Sequence, residues 1–441
     1  MRYVPITADD RREMLAAIGR DSVEDLFSDI PLAVRERFHP LGLPSRSESE
    51  VASYVKRLAA ENEASPLVPF LGGGIYDHYI PSVVSHVISR SEFSTAYTPY
   101  QPEISQGTLT AMFEFQTLIS ELTGMDIANA SLYDGATALA EAALMAERVR
   151  GRGRVAVARS LFEHLRRVLG TYAWGAGIEL IDVPFSSSGR LDPSGLPDDI
   201  SALIVQTPNA LGIVERLDGL KERIGDALLV VSAYPLALGL LEPPGAFGAD
   251  VVVGEGQSLG LPMAYGGPLL GLFASRREYV RQLPGRIAGR TVDADGAVGY
   301  VMAAQTREQH IRRGRATSNI CTNSALCALA ATVYLASVGG EGLRAIADRN
   351  VARAHELADR LVETGRFEPA FGGPFFNEFV LRTSDDPNDL RLRLAGAGLL
   401  VAAPDDLTRL GVDRALRIAV TEKRTDEEFD RFVEVVKGGS V

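Results

Sequence analysis

Between residues 65 and 315 the chain alternates short, nearly continuous apolar runs with helix-patterned stretches, and this alternation constrains the fold more than any other feature. The runs are Arg154–Ala158, Ile178–Val183, Ala202–Val205, Leu228–Val231, Asp250–Val253 and Leu269–Ala274. Helical patterns at Ala136–Arg150, Ser160–Ala173 and Asp218–Gly225 lie among them. A strand that is apolar throughout is buried on both faces, which calls for helices above and below a mostly parallel sheet. The expected core is therefore an α/β large domain over 65–315. A charged helical arm precedes it over 1–64. There Asp9, Asp10, Ser22 and Ser49 stand as N-cap candidates before apolar residues at helical spacing, and Pro31, Pro40 and Pro44 break the pattern. Over 316–441 the sequence predicts an α+β C-terminal small domain. Its signs are a long Ala-rich helical stretch, strand-like runs at Phe376–Leu381 and Leu416–Val420, and a last helix opened by Thr425.

Composition removes several classes of function. Two cysteines, Cys321 and Cys327, cannot build a disulfide framework and fit a reduced compartment. No basic-then-apolar leader opens the sequence. The longest apolar run, Ala227–Leu241, is interrupted by Ser232, Tyr234, Pro235 and Gly239, and falls short of the roughly 20 residues a membrane span needs. The expectation is a soluble cytoplasmic protein with no membrane partner. A formal net charge of -12 argues against nucleic acid as a partner, because phosphate binding needs a clustered basic surface. His39, His78, His86, His164, His310 and His355 are scattered without ligand spacing, so no metal centre is expected. The G-x-S-x-G elbow of serine hydrolases is absent.

Five stretches remain as candidates. Leu71-Gly-Gly-Gly-Ile75 suits a tight turn or a phosphate cradle, though it matches no nucleotide-binding pattern. Thr95–Gly107 holds two tyrosines, two prolines and two glutamines, which fits a ligand or subunit surface, or a turn before the helix near Thr108. Tyr133–Ala138 precedes an Ala-rich helix. Its small residues leave N–H groups and the Thr137 hydroxyl at a positive helix end, a candidate anion site, although ordinary capping uses the same residues. Arg307–Asn319 gathers Arg312, Arg313 and Arg315 as a solvated helix face, or as an anion or partner site. Among the histidines, His78 in Tyr76-Asp-His-Tyr79 stands in the most suggestive setting.

Taken in order, longer motifs point to a family. They are Phe70–Pro81, Ala96–Glu103, Asn129–Glu141, Gly254–Pro262, Tyr265–Pro268, Arg281–Arg286 and Ser318–Asn323. Together they resemble the glycine dehydrogenase (decarboxylating) family, the P-proteins of the glycine cleavage system, and within it the subunit 1 (α) branch of the two-subunit form. The resemblance runs over essentially the whole chain. It implies a fold-type I architecture, that of pyridoxal-phosphate (PLP) transferases. It also implies a reaction in which glycine is decarboxylated through PLP and its aminomethyl group passes to the lipoyl arm of H-protein.

Lysine content then decides the role of this chain. PLP enzymes hold their cofactor on a lysine and place a carboxylate on the ring nitrogen. By the resemblance, the lysine belongs in Asp250-Val-Val-Val-Gly-Glu-Gly-Gln-Ser-Leu-Gly260, where the position falls on Gln257 or Ser258. The ring-nitrogen Asp belongs at the end of Leu228–Ser232, which ends in Ser232. The only lysines are Lys56, Lys221, Lys423 and Lys437, all expected as solvated surface groups. The chain is therefore expected to be inactive alone, with no catalytic residue of its own. It would support a homologous PLP-bearing subunit 2 in an α2β2 assembly that acts on glycine. Tyr97, Thr98, Tyr100 and Gln101 are the leading candidates to enter the partner's cleft, followed by His78 and Arg313. The alternative reading is a stand-alone regulatory or ligand-binding protein on a degenerate PLP-enzyme fold.

Overall fold

The computed structural model describes residues 6–39, 41–62 and 67–438, and the chain divides into two compact units, Met1–Ser65 and Pro66–Val441. The expected arm boundary at 64/65 and Pro40 lie outside the described residues. In the first unit α1 (Ala8–Ala17), α2 (Leu32–Arg35) and α3 (Glu48–Ala60) form. Capping boxes start two of them: Thr7 with Asp10 for α1, and Ser47 with Glu50 for α3. The cap of α3 is thus Ser47, two residues before the Ser49 that the sequence suggests.

The second unit opens with β1 (Val68–Pro69), α4 (Ser82–Ile88) and α5 (Gln106–Thr123). Its main sheet holds β2 (Ile127–Ala128), β3 (Arg154–Ala158), β4 (Glu179–Val183), β5 (Ala202–Thr207), β6 (Leu228–Ala233), β7 (Val251–Glu255) and β8 (Gly271–Ser275). They lie in the order β2-β8-β7-β6-β5-β3-β4. The β7–β6–β5–β3–β4 pairs are parallel, and β8 runs antiparallel to both β7 and β2. Connecting helices include α6 (Gly135–Arg150), α7 (Glu163–Ala176) and α8 (Leu220–Ile224).

Period-2 alternation within each strand feeds two cores. Ala156, Leu203, Val205, Leu229 and Val252 pack on one face with Phe115, Ile119 and Tyr334. Val155, Val157, Ile204, Val230 and Val251 pack on the other with Leu139, Leu165 and Phe273. Both faces are covered, as the continuous apolar runs require.

Beyond the sheet come the hairpin of β9 (Ile287–Val292) and β10 (Val298–Ala303), the short α9 (Gln309–Arg312), and α10 (Ala325–Glu363). The last is interrupted at Gly339, whose φ is 62°. By length and composition α10 could cross a membrane, but half of its most apolar window is buried, as in a core helix. A three-stranded antiparallel sheet follows, from β11 (Phe367–Pro369), β12 (Glu378–Thr383) and, later, β14 (Ala415–Ala419). Between these lie α11 (Pro387–Gly396), β13 (Leu399–Leu400), which pairs with β1, and α12 (Asp405–Arg409); α13 (Asp426–Lys437) ends the fold. Phe70, Leu357, Leu361, Phe379, Leu416, Phe429 and Phe432 form a separate core there.

Candidate cofactor cleft

In open α/β sheets the natural binding crevice lies beyond the carboxyl ends of the parallel strands. Here that crevice is bounded by Ser232 of β6 and Tyr234 just after it, Glu255 at the end of β7, and Gly135 at the start of α6. The positive helix end is already neutralised from within. Glu255 accepts hydrogen bonds from the N–H groups of Gly135 (2.9 Å), Gln257 (3.0 Å) and Leu270 (2.9 Å). Asp134 accepts from the Thr137 N–H at 2.6 Å. A Cβ on Gly135 would lie 2.9 Å from the Glu255 nitrogen, so only glycine permits this approach. Two of the backbone donors expected to hold an anion near Thr137, those of Gly135 and Thr137, are thus engaged by the chain's own carboxylates.

Burial pushes the Glu255 carboxyl up to about 7, against the three N–H groups that favour its anion. A carboxyl whose folded pKa is raised stabilises the fold most below its unfolded value, and that contribution is lost as pH rises through 7. The difference in unfolding free energy between wild type and Glu255→Gln should therefore shift against the wild type from about pH 4.5 to pH 7. Urea melts across that range measure it, and a flat difference would remove Glu255 as its source.

Gln257, at the expected lysine position, is fully buried. Its Nε2 donates to the carbonyls of Tyr76 (3.1 Å) and Leu261 (2.7 Å), and its Oε1 accepts from the Tyr76 N–H (3.0 Å). The side chain is a clamp on the Tyr76 segment. Ser258 is also buried, and among the described residues its hydroxyl makes no hydrogen bond. The glycine run before Tyr76 is a close-packed turn: Gly73 donates to Glu378 Oε1 at 2.8 Å and has φ 85°. The Tyr76 hydroxyl donates to Glu378 Oε2 at 2.8 Å, and Arg417 Nε lies 3.1 Å from Glu378 Oε1.

These groups leave a cavity of about 30 Å³ lined by Tyr76, Phe162, His164, Ser232, Tyr234 and Glu255, among others. That is room for a water or two, since one water needs roughly 10–15 Å³. Neutral Ser232 offers a pyridine ring nitrogen no carboxylate, and neither Gln257 nor Ser258 can form an imine with the cofactor.

His78 packs against Tyr234, one of the residues lining the crevice. It is 6% exposed, with Nδ1 2.8 Å from Glu422 and Nε2 against the Tyr234 hydroxyl. It is thus buried within this chain, unlike the exposed Tyr97. Burial alone would raise the Glu422 carboxyl. The bond to His78, the charge that ring carries when protonated, and the Tyr79 N–H outweigh burial and bring it down to about 2. This contribution to stability is present above the ordinary carboxylate range and is lost as pH falls through 2.

The outward candidates sit elsewhere. Tyr97 is 83% exposed, Gln101 is exposed, Thr98 is half-buried, and Arg313 is exposed on a turn with φ 52°. Tyr100 packs edge-on against His310 (5.9 Å) and beneath the Arg286 guanidinium (5.7 Å). Arg286 in turn donates to Thr322 Oγ1 at 3.0 Å. The fold thus joins Tyr100 to two residues, His310 and Arg286, that the sequence did not single out for a site, although Arg286 ends a family motif.

The lysines partly depart from expectation. Lys56 and Lys437 are exposed, but Lys221 is three-quarters buried and pairs with Asp250 at 2.7 Å. Asp250 precedes β7, whereas Gln257 follows it, so Lys221 serves the opposite end of the strand. Lys423 is tied to Asp77 at 2.6 Å. Glu255, Glu378, Arg417 and Glu422 were all missed; only Glu255 lies in a quoted motif.

Known proteins place this arrangement. Residues 1–436 match the family profile "Glycine cleavage system P-protein". "Probable glycine dehydrogenase (decarboxylating) subunit 1" of Carboxydothermus hydrogenoformans is 49% identical over 99% of this chain and 100% of its own. The protein of the same description in Moorella thermoacetica is 50% identical over 99% of each. A crystal structure of glycine decarboxylase (P-protein) in inhibitor-bound form superposes with a TM-score of 0.91 at 43% identity, covering 99% of this chain and 100% of that one. Sphingosine-1-phosphate lyase of Burkholderia pseudomallei shares the fold alone, with a TM-score of 0.66 at 14% identity over 91% of this chain and 92% of that one. The architecture is fold type I of the PLP-dependent enzymes, and the chain belongs to the glycine cleavage system P-protein family.

Proposed function

We propose that this chain is the α half, subunit 1, of a glycine dehydrogenase (decarboxylating), and that it carries no PLP itself. The observation that carries the second part is the filled cleft: Glu255 on the Gly135 N–H at the start of α6 and Gln257 clamped at the lysine position. The relatives named subunit 1, which match over nearly their whole length, support the first part. In this reading PLP sits on a homologous subunit 2, which decarboxylates glycine, and the lipoyl group of H-protein accepts the aminomethyl group. The pair assembles as α2β2 in the cytoplasm. The exposed loop Tyr97–Gln101, braced through Tyr100 on Arg286 and His310, extends toward the partner's cleft and shapes its glycine or lipoyl pocket.

Mixing the two purified subunits tests this. The chain alone should show no glycine–CO2 exchange, and exchange should appear on adding the lysine-bearing subunit. Full activity of that subunit by itself would defeat the proposal in favour of a free-standing protein. Tyr97→Ala should leave the chain's melting curve unchanged, because the ring is 83% exposed, while lowering exchange by the complex at least tenfold. Wild-type exchange in that variant would remove Tyr97 from the partner's site.

A further inference from the structure

A second concavity of about 220 Å³ lies at the carboxyl end of β3, between α7, the edge strand β4 and α12. Four guanidiniums line it, those of Arg159, Arg166, Arg409 and Arg417, against three carboxylates, Glu163, Asp182 and Asp406. Arg166 pairs with Asp182, and Arg409 with Glu163 at 2.9 Å. Glu163 is also shared with Arg167 at 2.9 Å, and Asp406 stands 3.4 Å from Arg417. Arg417, 7% exposed, also lies against Glu378, whose carboxyl burial pushes up, so that partner cancels less of its charge. Two donors remain over. Among the described residues the Arg159 guanidinium makes no hydrogen bond or ion pair, and Arg166 Nη1 is buried with no partner. The buried Arg166 donor is left unsatisfied at a cost, which an oxyanion between these forks would recover while also meeting the exposed Arg159.

We propose that this concavity is a binding site for a small oxyanion, a phosphate or carboxylate group, separate from the filled cleft. Arg159 and Arg409 reach it from the rim and Arg417 forms its floor. The bound group joins the β3–α7 loop to α12 and β14, so it stabilises their packing.

Titration calorimetry and melting of the full chain test the site. Inorganic phosphate and malonate serve as probes, with chloride at matched ionic strength as control. One of the two probes should raise the melting temperature above the chloride control, and the tighter one identifies the chemical class. Arg159→Gln and Arg409→Gln should each weaken that binding about tenfold, the loss of one charge-assisted hydrogen bond, with unchanged circular dichroism. Equal shifts from all three salts, or undiminished binding in both variants, would overturn the site.

Discussion

Gln257→Lys, which restores the residue type that a PLP enzyme needs at this position, should cost the chain about 3 kcal/mol of stability and yield no borohydride-reducible PLP adduct. The Gln257 amide is both donor and acceptor to Tyr76, and no solvent reaches it. An ammonium can donate to the carbonyls of Tyr76 and Leu261 but cannot accept from the Tyr76 N–H. It therefore leaves one buried donor unsatisfied and adds a charge to a closed interior, each worth roughly 1–3 kcal/mol or more. Nor does it open space: the cavity stays near 30 Å³ and Glu255 still occupies the helix end. Urea midpoints and mass spectrometry after borohydride treatment in the presence of PLP give both readings. A stable variant that takes up the cofactor stoichiometrically would show that the cleft is open and that a single residue separates this chain from a PLP enzyme.

Arg417→Met should destabilise the chain still further, by about 3–5 kcal/mol, because it strips the Glu378 carboxyl of its guanidinium inside the fold. Burial already raises the Glu378 carboxyl, with Arg417 opposing. Without Arg417 the group is pushed higher, and a carboxyl raised in the folded state loses its stabilising contribution as pH rises. The deficit should therefore be larger at pH 8 than at pH 5. Adding Glu378→Gln should recover much of it, since the amide Oε1 can still accept from the Gly73 N–H while its Nε2 donates to the Tyr76 hydroxyl oxygen. Urea denaturation of the single and double variants at both pH values completes the cycle. A pH-independent deficit, or a double variant no better than the single, would mean that Arg417 acts through packing on Phe162 instead.

The layered fold was legible because its strands are apolar on both faces. Val155 and Val157 serve one core and Ala156 and Leu203 the other, so no polar alternation blurs the pattern. The β9–β10 hairpin was not legible. Its residues, such as Arg290, Thr291, Val298 and Gly299, lie half-buried or exposed, and its turn is set by Asp293, which accepts from the N–H groups of Asp295 and Ala297. Motif position marked Gln257 as the place where a lysine is missing, but not what fills the space instead. That depends on partners 181 residues away in sequence. Glu378 and Arg417 carry no local signal at all, being paired only by the register of β12 and β14. Lys221 was misread for a related reason: in a helix of five residues nothing local distinguishes a solvated lysine from one folded onto Asp250, which immediately precedes β7.

The central claim is that this chain is the half of the enzyme that does not bear the cofactor. Its most direct test is borohydride reduction of the co-purified complex, followed by peptide mapping of every pyridoxyl-lysine. The account predicts the label on the partner subunit alone, with Lys56, Lys221, Lys423 and Lys437 unmodified. A stoichiometric pyridoxyl group on any of those four lysines would contradict it.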